Sequence, residues 1–438
     1  MSQEQWKRLD VVARIENGTL TMAEGAQVLG LSERQMQRLR KVVEKRGRDG
    51  VKHGNSGRKS RRRTARQIVA KVVKLRRQKY DGFNDEHFTD MLAEEEKILL
   101  SRPTVRRILR AAGIESTRKR RPRKHRRRRD RKPQAGLMIL WDGSDHDWLE
   151  GRGPRLCLMA AIDDATSEVM PGAHFVEQEC AAGYLRVLRA IVMEKGIPAS
   201  AYGDRHGSLV RNDEHWTLEE ELLGEQTPTQ VGRALKELAI ERIDALSPQA
   251  KGRVERLWGT LQDRLVSELR LAKAKTMAEA KRVLLRCVQR HNRKFAIAPA
   301  DSTSAWRPMR AGEDAERICS FCYDATVGGD NTVRMGKDVI IDIPPGPRSR
   351  SYASAKVECR QLLDASWRVY YKGALIATKG ATGIGELRAR KRRKPSAARQ
   401  ALRPTAHIAT PGVDRRVARG GVPVPQRASS AAAVPGLQ

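Results

Sequence analysis

Three acidic residues, widely separated along the chain, have the types and settings for phosphodiester chemistry. Asp142 closes a short apolar run, Leu137–Trp141; Asp204 follows a second, Ala199–Gly203; Glu255 lies two turns into a helical segment that begins at Ser247. Carboxylates so far apart converge only if a sheet lays the two strands side by side and the helix returns across them. Hard oxygen ligands gathered in this way suit two divalent ions roughly 3.5–4 Å apart, one activating an attacking oxygen and one stabilising a leaving oxygen. No protein nucleophile is then required.

The element presenting Glu255 has a sharp start. Ser247 is a ready N-cap and Pro248 fits the first helical position, ahead of Ala-Lys-Gly-Arg-Val-Glu-Arg-Leu-Trp. Lys251 and Glu255 stand one turn apart on one face, with Gly252 leaving room and Gly259 and Gln262 continuing the stripe. Lys251 is placed to meet the phosphate that Glu255 serves; the plainer reading is an amphipathic helix with a solvated face. Nearby polar groups carry weaker signals. Asp163-Asp164 sits at a strand-to-turn transition, where Asp commonly bonds its own backbone. Asp145, His146 and Asp147 follow Asp142 in a presumptive turn, and His206 follows Asp204; His146 and His206 could orient the carboxylates from behind.

Composition points to the partner. Among 438 residues, Lys and Arg number 86 against 52 Asp and Glu, a net charge of +34, with 4% aromatics. A chain so basic repels itself without a polyanion, and double-stranded DNA is the natural one. Without a signal peptide or an apolar run of roughly 18 residues, no membrane association is expected and the reading is cytoplasmic. Six cysteines are too sparse for a disulfide scaffold, and the Cys319-x-x-Cys322 pair lacks the second pair a structural zinc would need.

In chain order, residues 1–50 read as a helix-turn-helix. Val12, Ile15, Met22, Ala26, Val28 and Leu29 mark two short helices, Gly30 a turn, and Ser32 with Gln35 a capping box opening a third to about Val43. Arg34, Arg38 and Lys41 face outward on it, as a helix in the major groove requires. A basic linker, 51–64, precedes a second helix-turn-helix-like unit, 65–115, with helices at Ala65–Gln78, Asp85–Glu95 and Arg102–Ala112. A basic arm, 116–134, follows; twelve of its fifteen residues from Arg118 to Lys132 are cationic, among them Arg126, Arg127, Arg128 and Arg129, and it is expected to lie on phosphates.

Residues 135–310 alternate as three strands (Leu137–Trp141, Leu156–Ile162, Glu168–Val176), a helix (Ala181–Lys195), a strand (Ala199–Gly203), a polar insertion (Arg211–Gln226), a helix (Val231–Leu238), a strand (Ile240–Ala245) and the Ser247 helix. Helices packed on a mixed sheet follow from that pattern. The β-formers of 311–379, dense around Trp367, Val369, Tyr370 and Tyr371, predict a small β-barrel, and the Ala-, Arg- and Pro-rich stretch 380–438 a disordered basic tail. The chain is thus expected to be multidomain α+β.

Four stretches in this order, Trp141-Asp-Gly-Ser-Asp-His-Asp-Trp-Leu149, Ala161-Ile-Asp-Asp-Ala-Thr166, Tyr202-Gly-Asp-Arg-His-Gly207 and Ser247-Pro-Gln-Ala-Lys-Gly-Arg-Val-Glu-Arg256, resemble those of DDE transposases of insertion sequences, ISNCY-type. The resemblance runs from about Val11 to Lys379. It implies a retroviral-integrase-like, ribonuclease-H-like catalytic core, with Asp142, Asp204 and Glu255 as metal ligands for two Mg²⁺ ions that Mn²⁺ can replace. It further implies cleavage at element ends, strand transfer of the freed 3′-hydroxyls into target DNA, a homo-oligomer on DNA, and a place on the bacterial nucleoid. The separation of Asp204 and Glu255 exceeds that familiar in integrases because of the Arg211–Gln226 insertion. A catalytically inactive, transposase-derived DNA-binding regulator is the alternative, and a basic packaging protein a third; the ordered carboxylates favour the enzyme.

Overall fold

The computed structural model describes residues 1–53, 55–56, 63–117, 129–211, 215–245, 252–336, 338–383 and 386–387. Met1–Glu386 form one compact unit; of the second, Leu387–Gln438, only the first residue is among those described.

The chain begins with α1 (Gln3–Glu16), α2 (Met22–Leu29) and α3 (Glu33–Arg46), each opened by a reciprocal capping box, Ser2 with Gln5, Thr21 with Glu24 and Ser32 with Gln35. These boxes satisfy N–H groups that the first turn leaves without partners. Gly30, at φ 64°, makes the left-handed stop between α2 and α3. Val11, Val12, Ala26 and Met36 fill the small core. A second trio, α4 (Arg66–Gln78), α5 (Asp85–Glu94) and α6 (Arg102–Ala111), closes on Val72, Tyr80, Phe83, Phe88, Leu92, Val105 and Leu109.

Next come β1 (Ile139–His146), β2 (Leu156–Asp163), β3 (His174–Val176), α7 (Ala181–Glu194), β4 (Ser200–Gly203), α8 (Leu218–Leu223), α9 (Gln230–Glu237), β5 (Glu241–Asp244), α10 (Gly252–Leu271) and α11 (Met277–Phe295). The five strands form one sheet in the order β3-β2-β1-β4-β5, with β1, β2 and β3 antiparallel and β4 and β5 parallel to β1. Side chains alternate across it: Ile139, Trp141 and Met159 pack under α7 and α9, while Leu140, Leu158 and Ile162 pack under α10 and α11. With both faces covered, all eight residues of β2 are buried. A mixed sheet of this order, with helices on both sides, is a ribonuclease-H-like α+β core.

Several elements depart from the sequence reading. β1 does not stop at Trp141 but continues through Asp142 to His146, because antiparallel pairing with β2 holds as far as His146 opposite Leu156. The third strand shrinks to three residues around Phe175, beyond Pro171 and Gly172. The polar insertion contains a helix, α8, whose Glu220 points inward to Arg211 and the amides of Thr217 and Thr227. After α12 (Ala315–Ile318) come β6 (Phe321–Thr326), β7 (Thr332–Met335), β8 (Val339–Asp342), β9 (Lys356–Gln361), β10 (Trp367–Tyr371) and β11 (Ala374–Lys379). They form an antiparallel sheet, β11-β10-β9-β6, and a separate β7-β8 ribbon, so among the described residues the expected barrel does not close. Beyond Lys379, Thr382 still accepts a hydrogen bond from the Trp367 indole at 2.8 Å; the expected tail lies outside the described residues from 388 onward. Among the described residues no helix is long and apolar enough to cross a membrane.

The second trio is bolted to the core by charge. His87 and Arg290 both reach the buried Glu268 of α10, at 3.1 and 2.8 Å; Arg264 and Lys294 reach Asp90; Arg290 also binds Glu94 and Glu95.

Candidate active site

Strand register assembles the first two carboxylates. β1 and β4 run parallel with Leu140 beside Tyr202; Asp142 stands two residues beyond Leu140 on β1, and Asp204 two residues beyond Tyr202, just past the end of β4. Asp142 is half-buried, and its Oδ2 accepts the Trp258 indole N–H at 3.1 Å. That bond, with Gln262 Nε2 at 3.3 Å from Ser144 Oγ, turns one stripe of α10 toward β1. Glu255 lies one turn N-terminal of Trp258 on that stripe, exposed at the start of the helix. Asp204 sits in the turn after β4, where its Oδ1 accepts the His206 amide at 3.0 Å.

A carboxylate that the sequence did not single out stands at the same end of the sheet. Glu179, just before α7, accepts the Tyr184 hydroxyl at 2.5 Å, and its Oε1 lies 3.4 Å from His206 Nδ1. Burial raises its carboxyl above the ordinary value, opposed by Tyr184 and His206 and reinforced by the charges of Asp142 and Asp204. The same negative field acts on Cys157, whose thiol is pushed up to about 12, by burial first and then by Glu179, Asp145 and Asp142.

Among the described residues no three His, Cys, Asp or Glu side chains are gathered closely enough to hold a metal ion. The donors at this end of the sheet are nonetheless carboxylates, the chemistry that hard divalent cations take. Lys251 lies outside the described residues, as do Ser247 and Pro248, so the residues described in the helix begin at Gly252. His146 stands edge-on to Trp148 at 5.3 Å, and it is His206 that meets a carboxylate, Glu179. Asp163 is fully buried and accepts the Gly136 and Thr166 amides and the Thr166 hydroxyl. Asp164, fully buried beside it, binds Arg129 and Arg253 at 2.5 Å each and the Lys132 amide at 2.8 Å. Arg129, expected on DNA, therefore neutralises an internal carboxylate; Arg126, Arg127 and Arg128 lie outside the described residues.

Arg34, Arg38 and Lys41 are all exposed on α3, at positions that share a face. A cleft of about 1060 Å³ lies elsewhere, between α5, α6 and the middle of α10, lined by Arg102, Arg106, Arg107, Arg110 and Asp263. Arg110 and Arg102 are tied to Asp85 and Glu86, and Arg106 and Arg107 are exposed. Amphipathic periodicity carried this signal in the sequence, but the reading weighted α3.

Comparison with known proteins places the chain. It is 37% identical over 375 residues to a protein described as transposase y4bF of Sinorhizobium fredii, covering 85% of this chain and 80% of the relative. It is 33% identical over 324 residues to the transposase for insertion sequence IS1202 of Streptococcus pneumoniae, covering 66% and 68%. No family model matches. Among solved structures, the HTLV-2 integrase catalytic core domain in complex with magnesium is 12% identical over 38% of this chain and 92% of that one, with a TM-score of 0.26. The simian T-cell lymphotropic virus intasome in complex with a PP2A regulatory subunit is 14% identical over 70% and 99%, with a TM-score of 0.29. A ribonuclease-H-like core bearing carboxylates on adjacent strands defines a class of nucleic-acid-processing enzymes. Within it, on the strength of the two sequence relatives, this chain belongs to the transposases.

Proposed function

We propose that this transposase is a divalent-metal-dependent polynucleotidyl transferase that cuts the ends of an insertion sequence and joins the freed 3′-hydroxyls to target DNA, with Asp142, Asp204 and Glu255 as its catalytic carboxylates. The observation carrying the reading is the parallel pairing of β1 with β4 two residues before Asp142 and Asp204, with Trp258 tying α10, and hence the turn bearing Glu255, to Asp142. Mg²⁺ held by these ligands would supply Lewis-acid activation of the attacking water or hydroxyl and charge stabilisation of the leaving oxygen. The residues of the chain do the rest. Strand β1 fixes Asp142, the end of β4 fixes Asp204, the Trp258 indole orients Asp142, and α10 brings the third carboxylate; Lys251, which precedes Gly252 in the sequence, is proposed as a cation for the scissile phosphate.

The helical trios before the core are proposed as helix-turn-helix modules. Arg34, Arg38 and Lys41 would read element ends in the major groove, and the arginines of α6 would hold the phosphate backbone. Assembly as a homo-oligomer on DNA, and residence with the nucleoid, belong to the same reading.

The test is incubation of the purified protein with the terminal DNA of its element and Mg²⁺, with nicks mapped to the nucleotide. Asp142→Asn, Asp204→Asn and Glu255→Gln should each keep the fold and DNA binding, since a cluster of like charges is relieved, while losing both end cleavage and strand transfer. Parent-rate cleavage by Glu255→Gln would remove α10 from the active site.

A further inference from the structure

We propose that Glu179 is a positioning residue of the same site: it packs between β1 and the turn carrying Asp204 and sets how tightly the Asp142–Asp204 pair holds a divalent cation. The inference rests on the reading of those two residues as cation ligands and adds a group that the transposase motifs do not contain.

Three elements meet at this one side chain. From α7, the Tyr184 hydroxyl donates to Oε1 at 2.5 Å, and the Tyr184 ring stands edge-on to Trp141 at 5.2 Å, one residue before Asp142. From the β4 turn, His206 Nδ1 faces the same oxygen at 3.4 Å, and the His206 backbone amide holds Asp204. From β1, Gly143 leaves the space that Oε2 occupies: a Cβ there would lie 2.5 Å from that oxygen. Glu179 therefore packs against the backbone immediately after Asp142 and lies against His206 in the loop immediately after Asp204, where His206 Nδ1 also accepts the Ser208 amide at 3.3 Å.

Packing alone does not explain the choice of residue. Tyr184 needs only an acceptor, which the amide oxygen of Gln would supply without charge. A carboxylate with 22% of its side chain exposed, set beside two more carboxylates, is electrostatically costly. A cation held by the Asp142–Asp204 pair would lower that cost. Groups that orient metal ligands from behind commonly control affinity by about 10–100-fold, and Glu179 is placed to do so through its charge and its packing against Gly143 and His206.

The test uses the full-length protein and Tb³⁺ as probe, since emission sensitised by Trp258, whose indole touches Asp142, reports binding at the pair without any catalysis. Glu179→Gln keeps the Tyr184 hydrogen bond and removes the charge. It should weaken Tb³⁺ binding, and the competing Mg²⁺, by about 10–100-fold, and shift the Mg²⁺ dependence of end cleavage by a similar factor while the plateau rate falls far less. Gly143→Ala, which displaces the carboxylate without altering any charge, should shift both curves the same way. Superimposable Tb³⁺ titrations for parent and Glu179→Gln would overturn the proposal, as would a fall in the plateau rate at unchanged metal affinity. Asp142→Asn separates the two readings. If it leaves Tb³⁺ emission intact, the carboxylate pair is not the cation site; if it abolishes emission while Glu179→Gln changes nothing, only the role of Glu179 fails.

Discussion

Asp164→Asn should destabilise the core far more than any change at the catalytic carboxylates. Asp164 is fully buried and its Oδ1 binds two guanidinium groups, Arg253 and Arg129, at 2.5 Å each, while Oδ2 takes the Lys132 amide. An asparagine keeps the shape but leaves two like charges side by side without their counter-ion. Breaking a buried pair costs about 3–5 kcal/mol. Arg253 is 16% exposed but Arg129 is 39% exposed, so water screens part of the loss and the lower end, about 3 kcal/mol, is expected. At about 2–4 °C per kcal/mol for a domain of this size, the melting midpoint should fall by about 6–12 °C. Arg253 stands in the first turn of α10, two residues before Glu255, so the freed helix start should fray and end cleavage should slow well below the melting range. Thermal melts by circular dichroism, beside cleavage assays at 25 °C, read both effects, with Asp142→Asn as the variant that loses cleavage and keeps its midpoint. An Asp164→Asn midpoint within about 2 °C of the parent would refute the reasoning.

Acid should act through Glu150, whose carboxyl is held down to about 2, by its hydrogen bonds with Arg270 first and against the opposing effect of burial. Because that value lies below the ordinary 4.5, the pair stabilises fully above about pH 4.5 and its contribution disappears as pH falls toward 2. Both side chains are about a third exposed, so Arg270→Ala should cost about 1 kcal/mol near neutrality, and urea titrations should show the gap to the parent closing below pH 4.5. Replacing Arg34 and Arg38 with Ala should reduce discrimination between terminal and random DNA by about 1–3 kcal/mol per lost base contact, and equal losses on both DNAs in competition would restrict them to the backbone. Removing residues 118–128 deletes nine cationic side chains and should flatten the salt dependence of binding by about 0.9 log units per lost phosphate contact. An unchanged slope would take the arm off the DNA.

What the sequence made legible follows from how far each constraint reaches. Ser32 with Gln35, or Gly30 between two helices, is settled within a few residues, and α2 and α3 carry those caps where the sequence places them. The order of strands and helices in the core was legible for the same reason, since burial on both faces makes β2 a continuous apolar run. Asp142-Gly-Ser-Asp looked like a turn because its composition is that of one; only pairing with residues 156–160 carries the strand through it. Barrel closure failed similarly, because the β-forming content of 311–379 is a local property and the pairing of strands into one sheet or two is not.

The hidden part of the site is hidden for the same physical reason. Asp163 and Asp164 read alike as turn residues, yet one closes a local loop with Thr166 and the other neutralises arginines 35 and 89 residues away. Glu179 sits in a short stretch without periodicity, and its partners come from α7, the β4 turn and β1. A motif marks residues that touch the reacting phosphate, because spacing alone relates them to a strand end or a helix start. The groups that hold those residues in place have no such signature: any element that packs nearby can supply them. For this transposase that puts the start of α10 under the control of Asp164, and the Asp204 turn under that of Glu179. Substitutions at those two positions should therefore separate affinity for metal and stability of the helix start from the chemistry proposed for Asp142, Asp204 and Glu255.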